Sequence, residues 1–232
     1  MHKAWIPNAI TLTSLALGVI AITLASDPAT WATGCFLIGA CAFLDMIDGK
    51  VARALHVASP LGVQLDSLAD LVAFGIGPAL LAYHGFLREL GAVGMGLSAL
   101  FAVGCAFRLA RFNVLADTAG ASGCSTGFVG CPAPVGAVTL TAILLAASRL
   151  PQPVSPFLIV AALAGIAMVM ISVIPYRKDL PLANPLVAAM TVMLLVVFRE
   201  YFVLVGGLAY MALGPVLAAV SRHQTIQQDR AA

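Results

Sequence analysis

The chain carries ten acidic residues, and four of them fall within one predominantly apolar stretch. Asp45 and Asp48 stand three apart in Asp45-Met46-Ile47-Asp48-Gly49-Lys50-Val51-Ala52-Arg53. Asp66 and Asp70 stand four apart in Gly62-Val63-Gln64-Leu65-Asp66-Ser67-Leu68-Ala69-Asp70. Helical residues three or four apart share a face, so each pair presents two carboxylates to one side. The short break at Ser59-Pro60 makes the two helices antiparallel neighbours, and the pairs then converge at similar depth. Carboxylates that close repel one another, and an Asp at the centre of a membrane helix costs ~2.5–3.5 kcal/mol on insertion scales. Divalent cations relieve both penalties. Hard oxygen ligands without His or Cys suit Mg²⁺, Mn²⁺ or Ca²⁺ rather than zinc, and four carboxylates can share two ions. Gly49, Gly62 and Ala52 leave room for a bulky ligand near the backbone, although a helical Gly costs ~1 kcal/mol relative to Ala. Arg53 adds a cation. Small residues, a cation and metal ions together suit a diphosphate. A single Asp near a span end is ordinarily a solvated loop residue, but four at this spacing, with two glycines and an arginine, fit a site better. A proton or cation pathway in a transporter is the rival reading, and it has no use for Gly-x-x-Ala-Arg beside the carboxylates.

The elements that must position these residues follow from composition. Of 232 residues, 61% are hydrophobic and 9% charged, with 12 Lys+Arg against 10 Asp+Glu and a net charge of +2. A soluble domain carries about 25% charged residues. The balance excludes a soluble enzyme, a disordered chain and a nucleic-acid binder, because the basic residues form no phosphate-tracking runs. Only helices and closed barrels span lipid. The apolar runs are continuous over ~16–22 residues rather than alternating over ~10, so the expected fold is an all-α polytopic transmembrane bundle. Eight spans are expected, over roughly 9–25, 31–54, 61–84, 90–113, 132–149, 155–174, 183–198 and 201–220, all within one integral membrane domain covering 1–232. Turn chemistry separates them, as at Ser26-Asp27-Pro28, His84-Gly85, Pro151-Gln152-Pro153 and Asn184-Pro185. The longest polar connection is expected over about 114–131. With the N-terminus in the cytoplasm, nine Lys and Arg fall inside and three (Arg88, Arg149, Arg199) outside, as the positive-inside rule requires. The first apolar run has no small-residue cleavage site leading into a soluble domain and reads as a span. The five cysteines form no CxxC pair and read as small buried residues.

The pattern Asp45-x2-Asp48-Gly49-x2-Ala52-Arg53-x8-Gly62-x3-Asp66-x3-Asp70 resembles the signature of the CDP-alcohol phosphotransferase family, with all eight positions filled at the family's spacing. Pro7-Asn8-Ala9-Ile10-Thr11, with Gly18 beyond it, resembles the family's opening segment. Within the family, the resemblance is strongest to the membrane-integral subgroup that uses L-serine. It rests on Leu65-Asp66-Ser67-Leu68-Ala69-Asp70 with Phe74-Gly75 and Pro78-Ala79, on Arg108-Leu109-Ala110-Arg111-Phe112-Asn113, on Gly127 to Pro134 and on Tyr176-Arg177-Lys178. It runs from about residue 5 to 180, and the last two spans, about 183–220, match in number only. Ala73, where the subgroup has Ser, and Cys131, where it has Leu, depart from the pattern.

The resemblance implies transfer of a phosphatidyl group from CDP-diacylglycerol to L-serine, with two divalent cations (Mg²⁺ or Mn²⁺, with Ca²⁺ able to replace them in a crystal). It implies Asp45, Asp48 and Asp66 as ligands of one ion, Asp66 and Asp70 as ligands of the second, and Asp70 as general base. Gly49, Ala52 and Arg53, with Asp48, Gly62, Asn8 and Thr11 nearby, would contact the cytidine diphosphate. A serine carboxylate needs a cation, which Arg108 and Arg111 would supply, with Asn113 and Ser67 lining the same pocket. Arg177 and Lys178 would meet lipid phosphate. Membrane lipids are expected partners and nucleic acid is not. The family further implies a homodimer in a bacterial inner membrane, its active site facing the cytoplasm. Glycerol phosphate, inositol or an inositol phosphate is the alternative acceptor within the same chemistry, and a cation-coupled transporter the alternative outside it.

Overall fold

The computed structural model of the chain describes residues 5–55, 57, 59–122, 128–173, 175–176, 207–208 and 211. It is a helical bundle. Helix α1 (Trp5–Leu24) and α2 (Trp31–Leu55) form an antiparallel pair. Their turn is set by Asp27, whose Oδ1 accepts from the Ala29 N–H at 2.9 Å and whose carbonyl accepts from the Trp31 N–H at 2.8 Å. Helix α3 (Pro60–Asp70) begins at Ser59, whose side chain caps the Gly62 N–H, with Pro60 in the first turn where its missing N–H costs nothing. From Asp70 the chain remains helical through a π segment (Leu71–Ile76), α4 (Gly77–Ala82) and a second π segment (Tyr83–Leu87). Gly91, at φ +56°, adopts a backbone conformation open to glycine and reverses the chain into α5 (Gly91–Ser122). Helices α6 (Ala133–Ser148) and α7 (Pro156–Ile171) follow, each started by proline.

The six spans expected between residues 9 and 174 each coincide with a helical stretch. Those at 183–198 and 201–220 lie outside the described residues, apart from Gly207, Leu208 and Met211. Two stretches, Trp5–Leu24 and Pro60–Leu115, are long and apolar enough to cross a membrane. One expectation is corrected. The polar connection does not begin at 114, because α5 continues to Ser122. That segment has no proline, and its polar residues do not break a helix already nucleated upstream. The bundle is all-α, as expected; among the described residues a single two-residue bridge, β1 (Phe128–Val129) antiparallel to β2 (Pro175–Tyr176), sets Phe128 opposite Tyr176 and Val129 opposite Pro175.

The buried core joins Ile38, Phe74, Leu81, Phe101, Leu140, Leu144 and Met170 from five parts of the bundle. Outward-facing Trp5, Val19, Phe43, Leu100, Val103, Phe107, Phe157 and Met168 are exposed, an apolar exterior that fits lipid rather than water. One seam matters for the site. The buried face of α1 runs Pro7, Thr11, Ser14, Gly18, Ala21, a four-then-three repeat of small residues that lets backbones approach closely. A Cβ on Gly18 would lie 3.2 Å from Ala73 Cα, and one on Gly34 3.0 Å from the Ala21 carbonyl oxygen. The departure at Ala73 therefore falls on helix packing. Trp31 of α2 donates its indole N–H to the Leu81 carbonyl at 2.9 Å, beside the second π segment, where a shifted backbone register calls for partners from neighbouring helices.

Candidate active site

Helices α2 and α3 bring the acidic residues together. Asp45, Asp48 and Asp66 each offer a carboxylate oxygen, and these oxygens lie within 4.8 Å of one another. Asp70, one turn beyond Asp66, lies within electrostatic reach of Asp45, Asp48 and Asp66. All four acidic residues singled out in the sequence thus share one site. The donors are all hard oxygens, with neither His nor Cys in the group. That donor set fits Mg²⁺, Mn²⁺ or Ca²⁺.

Helix α1 closes the site from the side. The Thr11 hydroxyl donates to Asp48 Oδ2 at 2.9 Å and also lies 3.1 Å from the Pro7 carbonyl. One turn earlier, Asn8 approaches α3. A Cβ at Gly62 would stand 3.1 Å from Asn8 Oδ1 and 3.1 Å from Ser59 Oγ, so glycine at 62 admits both the cap and the asparagine. Gly49 differs: a Cβ there would meet nothing nearer than the Arg53 guanidinium at 3.8 Å. Ala52 is half-buried, and Arg53 is exposed.

The two arginines of α5 part company. Arg108 is buried, 5% exposed, with its guanidinium within electrostatic reach of Asp70 and Asp45. It sits over the Phe112 ring, 5.6 Å from the centroid. Its Nε has no hydrogen-bond partner among the described residues. Arg111 instead reaches the end of α7, donating from Nη1 to the Ile171 carbonyl at 2.7 Å and from Nη2 to the Ser172 carbonyl at 2.9 Å. The last carbonyls of a helix lack intrahelical partners and attract a cation. Gly130 lies on the same helix end at φ +82°, where a Cβ would meet the Met170 and Ser172 carbonyls, and the Cys131 N–H donates to Val169 at 3.3 Å. Asn113 Nδ2 donates to Ser67 Oγ at 2.9 Å, and Ser67 donates to the Val63 carbonyl, joining α5 to α3.

A family model described as CDP-alcohol phosphatidyltransferase matches residues 4–174, nearly three-quarters of the chain. The chain belongs to the CDP-alcohol phosphatidyltransferase family. Among curated relatives, a Helicobacter pylori protein named CDP-diacylglycerol–serine O-phosphatidyltransferase is 40% identical over 139 residues, 60% of this chain and 56% of that protein. A Mycobacterium tuberculosis protein of the same name is 36% identical over 176 residues, 75% of this chain and 61% of that one. A third, from Methanocaldococcus jannaschii, is 33% identical over 174 residues, 75% of this chain and 74% of its own length. The chain thus spans less than two-thirds of the length of the first two relatives.

Against this CDP-alcohol phosphatidyltransferase frame, the acidic residues, Asn8, Thr11, Gly49, Ala52, Arg53, Gly62 and Arg108 all lie on or around one site. Arg111 does not face the carboxylates but lies on α7, and Ser67 and Asn113 engage each other. Arg177 and Lys178 lie outside the described residues. The four described cysteines, Cys35, Cys41, Cys105 and Cys131, are free and buried, and Cys124 lies outside the described residues. Two residues of the site went unread in the sequence. Ser59 carries a signal that could have found it, since Ser-Pro at a helix start is a cap signature. Phe112, four residues after Arg108, has only the helical spacing to mark it.

Proposed function

We propose that the chain transfers the phosphatidyl group of CDP-diacylglycerol to the hydroxyl of L-serine, giving phosphatidylserine and CMP. The observation that carries this reading is the meeting of Asp45, Asp48, Asp66 and Asp70 beside buried Arg108. The names of the relatives supply the two substrates. Asp45, Asp48 and Asp66 would hold one divalent cation, Mg²⁺ or Mn²⁺, and Asp66 and Asp70 would take part in holding a second. When bound, the ions supply charge neutralisation on the diphosphate and on the departing phosphate.

The chain's own residues do the rest. Gly49 and Ala52 leave the α2 surface open to the cytidine diphosphate, and exposed Arg53 meets its charge. Asn8 borders the same space from α1. The Asp70 carboxylate accepts the proton of the serine hydroxyl while the serine oxygen bonds to phosphorus. The bond from that phosphorus to the oxygen of CMP breaks, and CMP leaves with the electron pair. Arg108 holds the serine carboxylate, whose planar oxygens match the guanidinium fork. Arg111 and the Asn113–Ser67 pair fix α5 against α7 and α3. Arg177 and Lys178 meet lipid phosphate.

In this reading the chain is one membrane domain with eight spans. Both termini and the site face the cytoplasm, the bulk of the chemistry lies within about 5–180, and two spans follow over about 183–220. The positive-inside count supports the orientation, and the family resemblance supports a homodimer in a bacterial inner membrane. The test is an acceptor screen. Purified protein is given CDP-diacylglycerol with Mg²⁺ or Mn²⁺ and, separately, L-serine, glycerol phosphate or inositol. CMP release that needs both the ion and L-serine, with a product of phosphatidylserine mass, is the expected result. A product built on another alcohol reassigns the acceptor, and CMP release indifferent to chelator removes the metal reading.

A further inference from the structure

The described bonds of the Thr11 hydroxyl lie within the protein. The hydroxyl is turned onto Asp48 Oδ2, 2.9 Å away, and both residues are buried, 5% and 6% exposed. Asp48 is the most buried of the three clustered carboxylates. The terminal torsion of an aspartate is broad, so burial alone does not fix where its oxygens point. A hydroxyl donor on one oxygen does. The Thr11 side chain is itself fixed, because a β-branched residue in a helix has few rotamers and its oxygen also lies 3.1 Å from the Pro7 carbonyl. The next turn of α1 binds α2 as well: Ser14 Oγ donates to the Cys41 carbonyl at 3.4 Å and Cys41 Sγ donates to the Ser14 carbonyl at 3.3 Å. Thr11 therefore acts from a seam that holds its distance to α2.

We propose that Thr11 is a positioning residue of the cation site: its hydroxyl holds the Asp48 carboxylate in the orientation that closes the Asp45–Asp48–Asp66 cluster. The inference rests on the metal reading above and adds to it a residue that acts through Asp48. Partners behind a metal ligand typically change affinity by about 10–100-fold when removed. Thr11→Val keeps the shape and deletes the donor. Thr11→Ser keeps the donor.

The experiment measures Mn²⁺ binding to the full-length protein by the EPR signal of free Mn²⁺, without substrate, alongside the thermal melt. Thr11→Val is expected to weaken Mn²⁺ binding about 10-fold with an unchanged melt, and Thr11→Ser to stay within about 3-fold of the parent. In the Asp48→Asn background, adding Thr11→Val is expected to change Mn²⁺ affinity no further. Turnover of Thr11→Val is expected to return toward the parent value at saturating Mn²⁺, which a loosened fold would not allow. Should Thr11→Val fail to fold, Thr11→Cys, whose thiol is a poor donor, carries the same expectation. Parent-like Mn²⁺ affinity in the folded Val or Cys variant overturns the proposal, as does equal weakening in Thr11→Ser. If the parent itself binds no Mn²⁺, the metal reading falls and this inference with it, whereas parent binding with an indifferent Thr11 defeats this inference alone.

Discussion

Arg111 separates what a residue pattern suggests from what packing does with it. Its guanidinium donates to two carbonyls at the end of α7, Ile171 at 2.7 Å and Ser172 at 2.9 Å. Hydrogen bonds from a charged donor contribute about 1.5–3 kcal/mol each when sheltered. Arg111 is only half-buried, so solvent screening reduces the pair to about 2 kcal/mol in total. Arg111→Met deletes both bonds and returns the helix end to an uncapped state. In a chain of this size 1 kcal/mol moves the melting temperature by about 2–4 °C, so Arg111→Met is expected to melt about 4–8 °C below the parent. Arg111→Lys keeps the charge but loses the fork, reaches one carbonyl, and is expected to melt about 2–4 °C lower. The assay pairs a thermal melt in detergent with steady-state kinetics at a temperature where both variants are folded. The serine KM is expected to stay within about 2-fold of the parent, because two described bonds tie the guanidinium to the end of α7. A parent-like melt together with a serine KM raised 10-fold or more would refute this reasoning and return Arg111 to the acceptor pocket.

Three further expectations can be checked in the same preparation. Asp70→Asn keeps a polar group beside Asp45 but cannot accept a proton as a carboxylate does. Turnover should fall by about 10²–10⁴ while CDP-diacylglycerol binding, followed by equilibrium retention on the protein, persists. Arg108→Lys should raise the serine KM and leave the CDP-diacylglycerol KM unchanged, since an ammonium cannot form the two-pronged contact; equal changes in both constants would count against the assignment. Gly130→Ala forces a Cβ into a left-handed backbone at φ +82° and against the Met170 carbonyl. It should cost at least about 1–2 kcal/mol, read as a lowered melting temperature.

The sequence makes the acidic site legible because charge is conspicuous in an apolar chain. Four uncompensated carboxylates at Asp45, Asp48, Asp66 and Asp70 would be hard to place in lipid, and helical spacing gives each pair a common face. The helices were legible for the complementary reason, that uninterrupted apolar runs have few other structures available to them. Partners were harder to read. Arg108 and Arg111 share a face by spacing, yet one turn of rise separates them, and that suffices to place one near the aspartates and the other on α7. Periodicity assigns a side and leaves the neighbour to packing. Thr11 shows the same gap, since a hydroxyl beside an opening motif could face substrate or protein equally well, and only the approach of α1 to α2 decides it. The π segments after Asp70 left no mark in residue types, and the close approach of Gly18 to Ala73 and the Trp31–Leu81 bond lie beside them. Polar composition beyond 114 suggests a break, but no proline stands there and the helix runs through Gly120 to Ser122.

The reversal at Gly91 ties two arms of unequal count. Asp70 lies 21 residues before it and Arg108 17 after it, a difference that regular α-helix would turn into about 6 Å of vertical offset. The two charges nonetheless lie within electrostatic reach of each other. A π turn closes over five residues where an α turn closes over four, as the Gly77 N–H to Val72 carbonyl bond does, so the longer arm is shortened along its way. The two irregular stretches thus act as a length adjustment between the Asp70 carboxylate and the Arg108 guanidinium. A single-residue deletion inside either, though far from any substrate, would slide one charge past the other.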